Sequence, residues 1–388
     1  MEFETDRVLR YTAEKWPLVR AEIERVLPRD GPYARFLNGP VWYHIGDDCI
    51  DPSTRKGPKR SRPMFCLLAA ECLGVPLSDA LPFAAATELA HNYLICHDDV
   101  MDGDISRRDL PAVWVRFGME HEKRKGDYLR AVSRGLRLGD VGIANGINVG
   151  DYLMAKSFEA VTSSHLAAEK KAALCDILAT TLVRTGEGQS LDVNLRADAD
   201  FSVDRYIELA TLKTGYYLIF GVVGSALLAG LDRSSIRTLW KLGANVGVAF
   251  QILDDVIDLT SGKGRVGRDG QPELGNDIRE GKPSALFAKV LGSAKAPEKR
   301  KLLAIFAKPR ERTTRKDIAW VSGLYRKHGV VDWETVDGKR NVSGWAVDEA
   351  NALCRQAVAM VDDMKGFGSP EQAEKFKSLM RFMAKRES

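Results

Sequence analysis

The chain has 388 residues, of which 45% are hydrophobic and 28% charged, with a formal net charge of +4. This is the composition of a globular chain long enough to bury a full core. The charge is too small for this length to imply a nucleic-acid partner, so anion binding has to come from local clusters of Lys and Arg.

The six cysteines, Cys49, Cys66, Cys72, Cys96, Cys175 and Cys354, make no C-x-x-C pair and no zinc spacing. They read as reduced, packed thiols in a cytoplasmic protein. The opening MEFETDRVLRYTAEKW is charged from its second residue and offers no apolar signal-peptide core. From there helical periodicity dominates. Weak patterning over 5–27 gives way to an Ala- and Leu-rich run over 64–101. Further runs cover 143–164, 168–186, 203–231, 234–260 and 283–306, with weaker patterns over 315–328 and 346–364. Ser78 with Asp79, Ser202, and Ser234 stand where helix N-caps are expected. Residues 214–231 are uncharged and reach the lower edge of membrane-spanning length; a buried core helix is the preferred reading, and no membrane span is expected. Residues 120–140 are highly charged and interrupt two strongly patterned helices. In VVDWETVDGKRNVSGW, Asp337-Gly338 lies between short alternating runs, the signature of a hairpin. The expectation is one all-α domain over 1–388, with insertions near 119–141 and, as a small surface hairpin, 331–345.

The run 64–101 ends in a D-D-x-x-D motif, Asp98, Asp99 and Asp102. At about 100° per residue, Asp98 and Asp102 project from one helix face about 40° apart. Like charges one turn apart repel by roughly 0.2–0.5 kcal/mol per exposed pair, so the cluster destabilises the helix that carries it. The pattern recurs in FQILDDVIDL as Asp254, Asp255 and Asp258, with Gln251 ahead of them. One such motif reads equally well as a solvated helix end. Two copies, each behind a very apolar helix, point to carboxylates that hold cations, and oxygen-only donors favour magnesium. His97 has no second histidine at ligand spacing and reads as a packing or hydrogen-bonding residue.

Cations alternate with these acids. KGPKRSRP supplies Lys56, Lys59, Arg60 and Arg62; DISRRD supplies Arg107 and Arg108; LKTGYY supplies Lys213 beside Thr214; GNDIREGK supplies Arg279 and Lys282. Each cluster alone is ordinary solvated surface. Together they suggest two anion sites, one bridged by metal and one held by Arg and Lys. His91, seven residues before Asp98, lies on nearly the same helix face two turns down.

The segments GPKRSRP, HNYLICHDDVMDGDISRR, GEGQSLDV, LKTGYY, FQILDDVID and GNDIREGK, in this order and spacing, resemble the motifs of the trans-isoprenyl diphosphate synthases. This head-to-tail polyprenyl synthase family includes farnesyl and geranylgeranyl diphosphate synthases. The likeness spans residues 57–282 and is weaker beyond. It implies an isoprenoid synthase-type helical bundle around a central apolar cavity, the two acid motifs across its mouth, and a homodimer. The resemblance also implies that Asp98, Asp99, Asp102, Asp254, Asp255 and Asp258 form the metal site, Asp98 and Asp102 holding two magnesium ions and Asp254 a third. It places Arg107, Gln189, Lys213, Thr214, Gln251 and Lys282 around an allylic diphosphate, with Asp192 supporting that wall. Lys59, Arg62, His91 and Arg108 fall to isopentenyl diphosphate. The implied reaction is departure of diphosphate, attack on the allylic cation by the double bond of isopentenyl diphosphate, and loss of a proton, in an apolar shaft that excludes water.

In this family the growing tail runs beside the first acid helix. Tyr93, with the smaller Leu94 and Ala90 near it, is expected to act as a steric floor, which favours a twenty-carbon product over fifteen or twenty-five carbons. The alternative is an ordinary core tyrosine. Pro58 stands where a glycine is usual, which stiffens that loop. Glu273 stands where many relatives carry lysine, with Lys263, Arg265 and Arg268 nearby. A terpene cyclase is disfavoured by the second D-D-x-x-D and by the Lys59, Arg62 and His91 set. A non-catalytic subunit is disfavoured because both acid motifs are intact.

Overall fold

The computed structural model describes residues 2–31, 33–46, 58–107, 110–123, 138–260, 274–336, 339–364 and 367–384. Most of these residues are helical, and the fold class is all-α as expected. Backbone contacts divide the chain into two compact units. One comprises Leu9–Glu71 and Val75–Asp176; the other comprises Ile177–Ser388 with the short pieces Met1–Val8 and Cys72–Gly74.

The first unit holds most of α1 (Glu2–Val26), then α2 (Gly39–Ile45), α3 (Ser61–Cys72), α4 (Leu77–Met101), α5 (Val113–Lys123), α6 (Leu138–Thr162) and the start of α7 (Ala168–Asn194). The expected single run over 64–101 is two helices. Gly74 takes φ +71, and Val75 N–H reaches back to Ala70 O at 2.9 Å, a Schellman stop that the following Pro76 enforces. Because α4 begins at Leu77, Ser78 and Asp79 are not its cap; Asp79 instead meets His165 at 3.3 Å and Lys170 at 3.2 Å. Helix α4 lies along α6 at close range. A Cβ on Gly150 would fall 2.2 Å from the His97 ring, so only glycine lets His97 bring Nε2 to 3.1 Å from Ile147 O. Next to it Cys96 is fully buried, donates to Gly146 O at 3.3 Å, and is pushed by burial up to about 12. A short ladder absent from the sequence reading follows α4, pairing β1 (Ser106–Arg107) with β2 (Leu110–Pro111).

The second unit continues α7 and adds α8 (Val203–Ala210), a π-turn at Thr211–Gly215, α9 (Tyr216–Leu228) and α10 (Arg233–Thr260). It then runs through α11 (Asn276–Glu280), α12 (Ala285–Ser293), α13 (Ala296–Phe306), α14 (Arg315–Lys327), α15 (Trp345–Asp362) and α16 (Pro370–Ala384). Ser202 caps α8 as expected, accepting from Arg205 N–H at 3.3 Å. At α10 the cap is Asp232, which accepts from Ser235 N–H at 2.8 Å; the helix starts one residue before Ser234. The run 283–306 is also split, with α13 restarting where Glu298 accepts from Lys295 N–H at 3.1 Å. Among the described residues, Val203–Leu228 is long and apolar enough to cross a membrane by length and composition, but 67% of its most apolar window is buried inside the protein. Such burial fits the core-helix reading.

The expected hairpin is present as antiparallel β3 (Asp332–Val336) and β4 (Lys339–Ser343), with Asp332 opposite Ser343 and Val336 opposite Lys339. Its turn, Asp337-Gly338, lies outside the described residues, as do 124–137 of the expected 119–141 insertion.

The π-turn presses against α10 through glycine. A Cβ on Gly247 would lie 2.4 Å from Gly215 Cα, a backbone atom that no rotamer change can move. Gly247→Ala should therefore cost about 3 kcal/mol of stability, at the upper end of overpacking effects, measured by denaturant unfolding.

Candidate active site

Asp98 and Asp99 lie in the last turn of α4, and Asp102 is its C-cap, donating its N–H to Asp98 O at 2.9 Å. This is the negative end of the helix dipole, and the turn holds no basic residue. Asp99 is fully buried and turned toward Arg107, whose Nε lies 2.7 and 2.9 Å from the two carboxylate oxygens and whose Nη2 also bonds Oδ1. The chain can fold back this sharply because Gly103 adopts φ +67 and Asp104 N–H bonds Asp99 O at 2.9 Å. The β1–β2 ladder then fixes the backbone of Arg107. Burial pushes the Asp99 carboxyl up to about 6, against the pull of the guanidinium. Asp98 and Asp102 are half-buried.

The second motif draws on backbone donors. Asp255 Oδ2 accepts from Ala285 N–H, the first residue of α12, at 2.8 Å. Asp258 Oδ2 accepts from Asp277 N–H in the first turn of α11 at 3.0 Å. Both carboxylates are buried and sit where a helix N-terminus offers partial positive charge. Asp254, between them and Gln251, is half-buried. Among the described residues, no group of three or more His, Cys, Asp or Glu gathers closely enough to hold a metal ion by itself. The available donors are all carboxylate oxygen, few at each motif. Magnesium suits such a set, because it keeps several waters and takes one or two carboxylates together with phosphate oxygens.

The second unit joins several of the expected side chains into one network. Lys213 lies in the π-turn, a helix irregularity often found at functional sites, and its Nζ is 2.6 Å from Asp192 Oδ2. That approach depends on Gly188 of α7, where a Cβ would stand 2.2 Å from Lys213 N. Thr214 Oγ1 donates to Gln251 Oε1 at 3.0 Å, and Gln251 Nε2 reaches Asp255 Oδ1 at 3.5 Å. Gln189 is half-buried on α7, one turn before Asp192. Lys282 pairs at 3.0 Å with Glu280, which also takes Arg310 at 2.9 Å. The sequence reading missed Glu280 as an anchor, although its place two residues before Lys282 in DIREGK was a cue.

In the first unit Lys59 is exposed and Arg62 buried, with Nη1 donating to Ser61 Oγ at 3.2 Å. His91 is half-buried, and Arg108 lies outside the described residues, as do Lys56, Lys263, Arg265, Arg268 and Glu273. Tyr93 is half-buried and meets the His97 ring edge-on, with centroids 4.9 Å apart and planes at 71°. Ala90 is buried and Leu94 half-buried.

These acid motifs, cationic anchors and all-α units belong together in one known family. The chain belongs to the polyprenyl synthetase family, whose model matches residues 45–322. Members of that family are trans-prenyltransferases that use isopentenyl and allylic diphosphates and generally depend on magnesium. Geranylgeranyl pyrophosphate synthase of Geoglobus acetivorans is 34% identical over 235 residues, covering 61% of this chain and 65% of that protein. A short chain isoprenyl diphosphate synthase of Methanothermobacter thermautotrophicus is 29% identical over 312 residues, covering 79% of this chain and 85% of its own. In fold, the chain is similar to the crystal structure of geranylgeranyl pyrophosphate synthetase from Pyrococcus horikoshii, with a TM-score of 0.74, 27% identity and all of both chains covered.

The Asp99–Arg107 pair generates a pH-dependent prediction. A carboxyl whose folded pKa lies above its unfolded value holds its proton more tightly in the folded state, so its contribution is complete below about 4 and is lost as pH rises through about 6. Removing Arg107 raises that carboxyl further, so at high pH the fold must either take up a proton there or bury an unpaired anion, a cost that fades at low pH. Arg107→Met should cost about 3 kcal/mol at pH 8 and clearly less at pH 5, measured by urea unfolding at both values.

Proposed function

We propose that this chain is a magnesium-dependent head-to-tail prenyltransferase that condenses isopentenyl diphosphate with an allylic diphosphate to a short all-trans prenyl diphosphate, with geranylgeranyl diphosphate as product. The observation that carries this reading is the pair of acid motifs, each set at the C-terminal end of a long helix. Asp99 is held by Arg107, Asp255 and Asp258 accept from backbone N–H groups, and Asp98, Asp102 and Asp254 are half-buried carboxylates. We assign Asp98 and Asp102 to two magnesium ions and Asp254 to a third. Bound there, magnesium supplies Lewis acidity and charge neutralisation to diphosphate oxygens.

Lys213, Thr214, Gln251, Gln189, Lys282 and the Nη1 arm of Arg107 are assigned to the same diphosphate. They donate to oxygens on which negative charge grows as the carbon–oxygen bond breaks. Asp192 and Glu280 orient the two ammonium groups before substrate arrives. Lys59, Arg62, His91 and Arg108 are assigned to isopentenyl diphosphate, whose double bond attacks the allylic cation. The departed diphosphate takes the proton, so no side-chain base is required. We assign the chain as a single prenyl-synthase catalytic domain. A cytoplasmic homodimer is assigned by family likeness.

The twenty-carbon product is supported by the names of two of the relatives and by Tyr93, which we assign as the floor of the tail site. The test is incubation with magnesium, labelled isopentenyl diphosphate and allylic primers, followed by chromatography of the dephosphorylated products. A twenty-carbon alcohol is expected; a released hydrocarbon would make the chain a cyclase, and no product would make it a binding subunit. Tyr93→Ala should yield longer chains, and an unchanged length would remove Tyr93 as the stop. The double variant Asp98→Ala, Asp254→Ala should lose turnover by about a thousandfold or more, given what single charge-stabilising groups contribute; full turnover would remove both from the metal site.

A further inference from the structure

Arg60 stands between the two cations assigned to isopentenyl diphosphate, Lys59 and Arg62, yet its own side chain points away from solvent. It is 5% exposed, its carbonyl accepts the first bond of α3 from Met64 N–H at 3.3 Å, and it holds φ +50. Among the described residues only one other non-glycine residue has positive φ. A side chain with a Cβ adopts this conformation against steric resistance, so something has to hold it there.

Two contacts do so. Arg60 Nη1 donates to Glu88 Oε1 at 2.6 Å, with Glu88 itself 1% exposed on α4. The guanidinium carbon lies 3.7 Å from the centre of the Trp16 ring, a cation–π stack. Asn92, one turn beyond Glu88 and fully buried, donates to the same Oε1 at 3.1 Å and to Glu88 O at 2.8 Å. His91, the third residue assigned to isopentenyl diphosphate, lies between Glu88 and Asn92 in the sequence of α4.

Stability alone accounts poorly for this arrangement. A buried ion pair gains in Coulomb energy about what it loses in desolvation, unless every remaining donor and acceptor is also satisfied. Here Arg60 Nη2, Glu88 Oε2 and Asn92 Oδ1 are buried without a hydrogen-bond partner. What the pair does fix is register: it ties the backbone between Lys59 and Arg62 to the turn of α4 that carries His91.

We propose that Arg60 and Glu88 are positioning residues for isopentenyl diphosphate: their buried pair holds Lys59 and Arg62 at a set place relative to His91 without touching the substrate. The proposal rests on the assignment of Lys59, Arg62 and His91 made above.

The test uses the full-length enzyme with allylic primer saturating and isopentenyl diphosphate varied. The double variant Arg60→Met, Glu88→Leu replaces the pair by apolar groups of similar size. Its helical circular dichroism and melting temperature should stay close to wild type. Its KM for isopentenyl diphosphate should rise about tenfold or more with kcat and the allylic KM nearly unchanged, the signature of lost binding that ground state and transition state share. Glu88→Gln, which keeps shape and acceptor but removes the charge, should show a smaller rise of the same selective kind. If the double variant does not fold, Glu88→Gln decides: a selective rise supports positioning, and an unchanged KM overturns it. A folded double variant with unchanged KM, or one in which kcat and both KM values worsen alongside the melting temperature, also overturns it. Lys59→Ala separates the two levels of the argument. If Lys59→Ala raises the isopentenyl KM and the pair variants do not, the positioning role alone falls; if Lys59→Ala has no effect, the assignment of the site falls and the positioning role with it.

Discussion

Asp98 and Asp99 sit in the last turn of α4 and Asp102 caps it, where the aligned peptide dipoles already place negative charge. Nothing basic in that turn relieves them. Much of the surrounding structure answers this one electrostatic problem. Asp99 is turned inward onto the Arg107 fork, and the glycine reversal and short ladder after the helix exist to bring that arginine back. The second motif solves a similar problem with different material. Asp255 and Asp258 receive the N-terminal N–H groups of α12 and α11, so the end of one helix becomes the seat of two others. In both motifs the inward aspartates make the fold depend on the acids.

A second dependence runs through backbone contact. Lys213, Thr214 and Gln251 meet because α7, the π-turn and α10 approach more closely than side chains allow, at Gly188 on one side and Gly247 on the other. The polar network from Asp192 through Lys213 to Asp255 is thus a result of packing: without those glycines the same side chains would be present but out of reach. Positioning in both units follows one logic, in which a charged group is held by a counter-charge or a close backbone before any substrate arrives.

The helices were legible in the sequence because their apolar spacing is strong, and the acid motifs because their residue types and order are unusual. Breaks were harder. The stop at Gly74 and the restart at α13 lie inside continuous apolar runs, where periodicity does not register a left-handed residue or a cap formed by Glu298. Caps were read correctly at Ser202, where the serine precedes a clean amphipathic start, and incorrectly at Ser234, because Asp232 competes two residues earlier with a better acceptor. The distinct fates of neighbouring aspartates were legible only in part. The helix period sets Asp98 with Asp102 on one face, but that Arg107 folds back onto Asp99 shows only in three-dimensional packing.

The π-turn at Thr211–Gly215 has a further consequence for the long apolar segment that contains it. A π-turn accommodates one surplus residue, and each residue of an α-helix advances about 100° around the axis. Helices α8 and α9 therefore run along one line but out of phase. Before the turn, Tyr206, Leu209 and Ala210 bury one stripe and leave the other side to water; after it, residues 218–226 are buried all round. The surplus residue acts as a clutch between an amphipathic segment and a fully apolar one. A shorter sequence with perfect helical periodicity would force both segments to share a single orientation.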